Sequence, residues 1–464
     1  MAINVKSTFV GIALLVLFSI TAMSLPVSSG LLIEVCLALP QPRAIDTEIV
    51  SSSIDEEIQR LVIDEKIPSL YLGVVSSNEL VWVRGFGEQI SNDTVFLIGS
   101  IQKVLVAISI LQLYEKGEID LNDDVSDYLP FTVRNPNFPN VSVTIFMLLA
   151  HRSGLAQMLP HEFCYDWEGL YYPDFDGTYY PQAIGITLGE FLTERLAPGG
   201  SYCSSRNWIF EPGTDWSYSN SGYKLLMFLL ETISNQTISE YMKQYIFEPL
   251  RMQNTGFNAS DYTGHHAIPH TRVADSNIAL PVWNGQYMMR STVSDLGHLI
   301  ITLMNEGQFD GFQLLQQDTI VMMRERTHSQ FSDIYLEKEL RSEGYGLGLE
   351  IFSHGIFGHG GSTIGFTGLL YFNPTTKLGY IMLINVNSIL LGGSEEWQDL
   401  SRFRAEVRNL VMINVGLLPP FDFHDMFPWL SSIVLVPTVI CVTVYVGWYL
   451  RKRRLMKHTQ SIID

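Results

Sequence analysis

A serine and a lysine three positions apart could act as a nucleophile and its base. Ser100 and Lys103 open the largely apolar run "SIQKVLVAISI". Burying an ammonium group is costly unless it is paired or loses its proton, so Lys103 either reaches water or occupies a poorly solvated site. A desolvated lysine has a lowered pKa and can accept the proton of a serine hydroxyl. The alternative is a capping serine beside a surface lysine, and Ser221 and Lys224 repeat the same spacing.

The element that must position this pair is a helix, which the pattern predicts over residues 100–116. Ser100 follows Gly99 and stands where an N-cap or first-turn residue would be, and Gly117 can end the helix. Lys103 then lies on the same helix face as Ser100. Backbone N–H groups at a helix N-terminus can also bind a developing oxyanion.

The pattern around this helix predicts an α/β (α+β) fold. Residues 70–87 read as two strands around a Ser-Ser-Asn turn, and short β-rich runs separated by Gly, Pro and Asn recur over 346–386. Between these groups the pattern is mainly helical, with further helices expected at 144–151, 223–234, 238–247 and 292–305. We therefore expect one antiparallel sheet, built from N- and C-terminal strands, flanked by helices and carrying a mainly helical insert.

Both chain ends indicate passage through a membrane. The apolar run after Lys6 leads to Ala-Met-Ser, which predicts a signal peptide over 1–24, with an uncleaved anchor as the alternative. Residues 429–450 carry no charge over 22 positions and run into four basic residues. This is typical of a transmembrane helix with a basic cytoplasmic tail at 451–464.

The region 45–415 is then predicted to be an extracellular or lumenal domain, joined to the span by a linker at 416–428. Sequons for glycosylation fit that compartment and occur at Asn92, Asn140, Asn235 and Asn258. Of the four cysteines, Cys164 and Cys203 lie in this domain and could form a disulfide, with two separate thiols as the alternative. The net charge of −19 argues against a nucleic-acid partner.

Short sequence blocks follow one another across 70–386: "FLIGSIQKVL", "LLAHRSGL", "PGTDWSYSNSGY", "PLRMQNTGF", "RSTVSDLGHLI" and "GHGGSTIGF". In this order they resemble the serine beta-lactamase-related family, which includes class C beta-lactamases, D,D-peptidases and related esterases. The resemblance implies a beta-lactamase/transpeptidase-like fold. It also implies that Ser100 is a nucleophile forming an acyl-enzyme and that Lys103 is its base. Tyr218 resembles the second proton relay, and Asn220 resembles the residue that orients the substrate and Lys103.

The third family motif corresponds to His359, Gly360 and Gly361, on the strand that would border the site. The resemblance further implies an oxyanion hole formed by the backbone N–H groups of Ser100 and Ser362. Many beta-lactamases have lysine where His359 stands, and histidine resembles the D,D-peptidase and esterase branches. A titratable group in place of a fixed cation weakens the case for binding a beta-lactam carboxylate.

Other features leave alternatives open. The stretch 154–212 holds many aromatic residues and both domain cysteines, which fits either a lid over the site or ordinary loop packing. There is no Gly-x-Ser-x-Gly elbow, His-Glu-x-x-His motif or Gly-rich phosphate loop, and we expect no metal or cofactor.

Two functional hypotheses remain. The first is a membrane-anchored serine hydrolase that cleaves a small ester, a peptide or a D-amino-acid peptide. The second is a catalytically silent domain used for binding or adhesion, because a fold does not fix function. True beta-lactamase activity is a further, less favoured outcome, and the oligomeric state is left open.

Overall fold

The computed structural model describes residues 53–88, 91, 93–157, 187–273, 276–280, 287–328, 340–387 and 395–418. The predicted signal peptide, transmembrane segment and tail lie outside these residues, as do Asn92, Cys164 and the aromatic stretch from 158 to 186. Within the described part of the chain, no helix combines the length and the apolar composition needed to cross a bilayer.

The described helices are α1 Ser53–Asp64, α2 Gln102–Glu115, α3 Ile145–Leu149, α4 Leu188–Leu196, α5 Asn220–Ser234, α6 Ile238–Met242, α7 Val293–Met304, α8 Gln317–Arg324 and α9 Glu395–Asn414. The described strands are β1 Ser69–Ser76, β2 Glu79–Gly87, β3 Phe96–Leu97, β4 His270–Val273, β5 Ser276–Ala279, β6 Arg290–Ser291, β7 Gln308–Phe309, β8 Phe312–Gln313, β9 Ser342–Tyr345, β10 Glu350–Phe352, β11 Ile356–Thr363, β12 Phe366–Asn373, β13 Leu378–Ile384 and β14 Val386–Asn387. All five predicted helices are present, although the helix predicted at 238–247 continues past α6 as a π-helical turn, Lys243–Phe247.

A seven-stranded sheet, in the order β2-β1-β13-β12-β11-β10-β9, joins both ends of the domain. The N-terminal hairpin β1–β2 pairs through β1 with the C-terminal strand β13, so that Leu70 faces Ile384 and Ser76 faces Leu378. Every neighbouring pair in this sheet is antiparallel. The predicted sheet of N- and C-terminal strands with a mainly helical insert is therefore confirmed.

Both faces of the sheet are covered. Tyr71 and Val75 of β1 belong to the main core with α2 and α7. The alternate residues Leu70 and Leu72 point to the opposite face and are fully buried as well. On the described chain α1 packs against β2 and α9 packs against α1. Leu418, which follows α9 and falls within the predicted linker 416–428, is also buried.

Helix α2 is the centre of the domain and carries the predicted nucleophile region at its start. Its residues from Lys103 to Leu113 are all buried, as expected for a helix that is apolar on every side. The predicted α-helical start at Ser100 is wrong in detail, because a 3₁₀ turn, Gly99–Ile101, precedes the α-helix. Ser100 thus lies in a tight turn that leads directly into α2, and Gly117, with a φ of 71°, lies just past its end.

Strand β11 packs unusually close to this turn. A Cβ atom on Gly361 would lie 2.0 Å from the carbonyl oxygen of Ile98. A Cβ atom on Gly99, where φ is 50°, would lie 2.8 Å from the backbone nitrogen of Ser362. Glycine at these two positions lets the edge of β11 approach the backbone next to Ser100.

A methyl group at position 361 should separate β11 from the Ser100 turn. We expect Gly361→Ala to lower the free energy of unfolding by about 1–3 kcal/mol, because the added atom meets backbone and not a flexible side chain. Gly360→Ala is the matched control, since the nearest atom to its new Cβ would be Leu369 Cδ2 at 3.8 Å. Chemical denaturation of the purified chain would measure both variants, and equal losses would contradict the close-packing argument.

Candidate active site

Ser100, Lys103 and Asn220 form a hydrogen-bonded group at the start of α2. The Nζ atom of Lys103 lies 3.0 Å from Ser100 Oγ and donates to Asn220 Oδ1 at 2.7 Å. Lys103 is only 4% exposed, whereas Ser100 is half-buried. Of the two alternatives for Lys103, the structure therefore has the poorly solvated site, in which polar partners hold the lysine.

Asn220 reaches Lys103 because α5 begins at a capped turn. Ser219 is the N-cap, and its Oγ accepts the N–H of Gly222 at 3.0 Å and donates to the carbonyl of Ala156 at 2.9 Å. The backbone N–H of Asn220 donates to the carbonyl of Gln157 at 2.9 Å. These bonds tie the start of α5 to the loop that follows α3, so Asn220 is presented from a fixed turn.

Two tyrosine rings line the lysine. The Nζ atom of Lys103 lies 4.9 Å from the ring centroid of Tyr218 and 5.6 Å from that of Tyr223. Both distances are within the range of cation–π attraction, which partly compensates a buried cation. The Tyr223 hydroxyl donates to the carbonyl of Leu149 at 2.9 Å, and burial raises the pKa of Tyr223 far above its usual value. Tyr218 is half-buried.

His151 is a site residue that sequence reasoning missed, although it stands in the quoted block "LLAHRSGL". Its φ of 57° is left-handed, and its ring packs 4.4 Å from that of Tyr218. Its Nδ1 accepts the backbone N–H of Ser219 at 3.0 Å. Burial, then the charge of Lys103, hold the pKa of His151 well below its usual value. The neutral imidazole of His151 therefore positions the Tyr218 segment, because it packs against the Tyr218 ring and accepts the N–H of the next residue.

His359 is brought to the site, but it is bonded inside the protein. Its Nδ1 lies 2.6 Å from the carbonyl oxygen of Gly360 and so donates to it. Its Nε2 can then accept from the Tyr345 hydroxyl at 3.2 Å. The side chain is 1% exposed, and burial, then the charge of Lys103, lower the pKa of His359 to about 3. His359 therefore stays neutral at physiological pH, and position 359 carries no fixed cation.

Glu350 is a second residue that sequence reasoning missed. Its Oε1 lies 3.7 Å from His359 Nδ1, and the carboxyl group accepts the backbone N–H of Gly360. Burial raises the pKa of Glu350 to about 7, against the lowering effects of that hydrogen bond and of the charges on Arg404 and Lys103. A carboxyl group that titrates near neutrality thus lies behind the strand that borders the site.

The end of β11 adjoins the nucleophile turn. The backbone of Ser362 lies beside that of Gly99, which immediately precedes Ser100. The Oγ atom of Ser362 accepts from Asn387 Nδ2 at 2.6 Å, and the same amide donates to the carbonyl of Thr363 at 3.0 Å. Asn387, which the sequence did not single out, thus fixes the end of this strand. The predicted oxyanion-hole segments are neighbours in the fold.

The other predicted residues lie away from this group. Three sequon asparagines are exposed on the described surface, namely Asn140, Asn235 and Asn258. Cys203 is half-buried, and burial raises the pKa of its thiol, while its predicted partner Cys164 lies outside the described residues. Their disulfide therefore stays a prediction, as does glycosylation.

The second serine–lysine pair is placed differently from the first. Ser221 is fully buried in the first turn of α5, and its Oγ donates to the carbonyl of Gln157 at 3.4 Å. Lys224 is 8% exposed. The two pairs share one spacing, but only Ser100 has a hydroxyl at a partly open position.

A mixed domain of this kind, with a serine and a buried lysine packed beside strand β11 of an antiparallel sheet, has the beta-lactamase/transpeptidase-like fold. The family model described as Beta-lactamase matches residues 54–398. The chain therefore belongs to the beta-lactamase family, a family of serine hydrolases.

Named relatives agree with this assignment. The chain is 25% identical over 353 residues to "Protein flp" of Staphylococcus aureus strain MW2, covering 73% of this chain and 63% of that protein. It therefore spans less than two thirds of that relative's length. It resembles the octameric penicillin-binding protein homologue from Pyrococcus abyssi, with a TM-score of 0.60, 23% identity and coverage of 77% and 76%. It also resembles the D-amino acid amidase from Ochrobactrum anthropi SV3, with a TM-score of 0.57, 19% identity and coverage of 78% and 99%. The likeness to both solved structures is one of fold.

Replacing His151 should test its support of the Tyr218 segment. His151→Phe keeps a ring but leaves the buried N–H of Ser219 without its acceptor, so we expect a loss of about 1–3 kcal/mol in unfolding free energy. His151→Asn should lose less, because asparagine tolerates the left-handed conformation and its Oδ1 can accept the bond. Denaturation curves would rank the three proteins, and a Phe variant as stable as the wild type would refute this role.

Glu350→Gln should change how stability depends on pH. The pKa of Glu350 is raised from 4.5 to about 7 on folding. Between these values the folded state binds the extra proton, so this group's stabilisation is complete below pH 4.5 and is lost as pH rises towards 7. The glutamine variant lacks this loss. Its free energy of unfolding relative to the wild type should therefore increase from acid to neutral pH, and a difference independent of pH would contradict the raised pKa of Glu350.

Proposed function

We propose that this protein is a membrane-anchored serine hydrolase that cleaves an ester or an amide through an acyl-Ser100 intermediate, outside the cytosol. One observation carries the proposal: a 4% exposed Lys103 whose Nζ lies 3.0 Å from Ser100 Oγ and 2.7 Å from Asn220 Oδ1. Family membership supports the class of chemistry, and the site supports the particular nucleophile.

The proposed reaction begins with proton transfer from Ser100 Oγ to Lys103. When Lys103 is a neutral amine, its lone pair can accept the hydroxyl proton while an N–H still donates to Asn220. The direction of the hydrogen bond between Lys103 and Ser100 is then opposite to that of the ammonium form. Oγ attacks the substrate carbonyl carbon, and the backbone N–H groups of Ser100 and Ser362 would stabilise the oxyanion.

The second half of the reaction needs a proton donor and water. In this proposal Tyr218 passes the proton to the leaving alcohol or amine as the carbon–heteroatom bond breaks, leaving an ester on Ser100. Water then attacks that ester with Lys103 and Tyr218 accepting its proton, and Oγ leaves as the hydroxyl. The lysine and tyrosine can share one proton and so avoid two charges in a poorly solvated site.

The substrate class follows from the charges around the group. His359 is neutral, so no fixed cation stands at position 359 to bind a carboxylate. We therefore favour small esters, peptides or D-amino-acid peptides over beta-lactams. The named amidase and penicillin-binding protein homologues are consistent with that range.

Membrane attachment is part of the proposal. It is supported by the uncharged segment 429–450 and the basic residues that follow it, with the signal-like sequence at 1–24 directing the domain outside the cytosol. The exposed sequon asparagines of the described domain are compatible with that location.

Covalent labelling of the purified full-length chain would test the proposal. A fluorophosphonate should add one adduct to wild type, measured by intact mass. Ser100→Ala and Lys103→Ala should lose it, because the first removes the nucleophile and the second removes its base. Ser221→Ala is the matched control and should label like wild type, because the Ser221 hydroxyl is fully buried.

Turnover would then define the substrate. Amides and esters of D-amino acids should be hydrolysed by wild type, with rates falling by about 10³-fold or more in Ser100→Ala. A chromogenic cephalosporin should be a poor substrate. A folded wild-type protein without an adduct would overturn the hydrolase proposal and point to the binding or adhesion role.

A further inference from the structure

A guanidinium group without a counter-charge is buried in the insert. Arg290 of β6 is 1% exposed and is the largest fully buried side chain among the described residues. Its Nη1 donates two long hydrogen bonds of 3.5 Å, to the carbonyls of Phe257 and Met288. Its Nη2 is buried and has no hydrogen-bond partner among the described residues. No carboxylate of the described chain forms an ion pair with it.

This arrangement differs from that of another buried arginine in the same domain. Arg272 is 5% exposed, but its guanidinium lies 4.0 Å from the Glu65 carboxylate and also bonds to Asn277. Arginine remains protonated in proteins, and an unpaired charge in the interior is among the most unfavourable groups that a fold can contain. Arg290 therefore requires a negative partner that the described chain does not supply.

A second unsatisfied donor lies in the surroundings of Arg290. The Tyr262 hydroxyl is buried without a hydrogen-bond partner. Burial raises the pKa of Tyr262, so the hydroxyl keeps its proton, although the charge of Arg290 acts in the opposite direction. The ring of His266 packs 5.0 Å from that of Tyr262. Burial, then the charge of Arg290, lower the pKa of His266, so the imidazole carries no positive charge at neutral pH.

The acidic residue that precedes Tyr262 is already hydrogen-bonded elsewhere. Asp261 precedes Tyr262, and its Oδ2 accepts the backbone N–H groups of Phe257 at 3.0 Å and Asn258 at 2.8 Å. The Asp261 carboxylate thus stabilises the turn 257–261. Among the described residues, Arg290 Nη2 and the Tyr262 hydroxyl are thus two buried donors without an acceptor.

We propose that Arg290 Nη2 and the Tyr262 hydroxyl bind a small monovalent anion of the chloride class. A small anion would accept from both donors and neutralise a guanidinium that is almost completely buried. A water molecule could fill the space, but it would leave the charge uncompensated.

The anion would stabilise the segment that presents Ser100. Strand β3 lies between two partners, because Val95 just before it bridges His266 and Leu97 within it pairs with Arg290. The backbone N–H of Ile98 also donates to the carbonyl of Met289 at 3.1 Å. A bound anion that contacts Arg290 and Tyr262 therefore holds both flanks of β3, which leads directly into the Ser100 turn.

Thermal unfolding of the purified full-length chain in two salts would test this site. Sodium chloride and sodium gluconate would be compared at equal ionic strength up to about 0.2 M, because gluconate is too large for the site. The melting temperature of wild type should rise saturably with chloride, by about 2 °C or more. Bromide should substitute for chloride.

The variants separate this site from general salt effects. Arg290→Met should lose the chloride response, and Tyr262→Phe should need several-fold more chloride for half of the effect. Arg272→Met is the matched control, since it removes a buried guanidinium that already has a carboxylate partner; it should melt earlier but keep the chloride response.

Two results would overturn the proposal: a wild-type melting temperature that is the same in both salts, or a full chloride response in Arg290→Met. If Arg290→Met does not fold, anomalous scattering from a bromide-soaked wild-type crystal decides the matter. A bromide peak beside Arg290 Nη2 supports the site, and the lack of one refutes it. None of these measurements depends on whether Ser100 is a nucleophile.

Discussion

The burial of Lys103 is the constraint on which the rest of the site depends. An amine at that position must be neutral or paired, and the protein surrounds it with one hydroxyl, one amide oxygen and two aromatic rings. The charge of Lys103 also affects neighbouring titratable groups. Burial, with the charge of Lys103 as the second cause, lowers the pKa of His151 and of His359, so both imidazoles act as hydrogen-bonding supports and not as further cations.

The fold meets this constraint by packing three segments that are distant in sequence closely against one another. Lys103 comes from α2, Asn220 comes from the start of α5, and β11 covers the turn that holds Ser100. The approach of β11 depends on the glycines at 99 and 361, because a side chain at either would overlap backbone atoms. The hydrogen bonds that cap α5 therefore also set the distance between Lys103 and Asn220. The stability of this helix start and the geometry of the site depend on the same bonds.

The sheet, the five predicted helices and the residues of the central group could be predicted from the sequence, because each has a local signal. Lys103 stands out as a charge in an apolar run, and the strands are bounded by glycine and proline. The residues behind the group were missed because their environment is set by pairing across the sheet. Glu350 is also a charge in an apolar run, "GLGLEIF", but its meaning depends on the neighbouring backbone of Gly360, which sequence spacing does not show. His151 is recognisable only once Ser219, far along the chain, is placed against it.

The two serine–lysine pairs show how much the environment adds to spacing. Both pairs have three-residue separation at the start of a helix, and both lysines are buried. Ser221 stands inside the first turn of α5, where its hydroxyl is enclosed and bonded to a backbone carbonyl. Ser100 stands instead in a 3₁₀ turn that Gly99 allows to approach β11, and there its hydroxyl remains partly open beside the lysine. A reactive hydroxyl therefore needs a turn that exposes it on one side and a desolvated base on the other, and only the first pair has both.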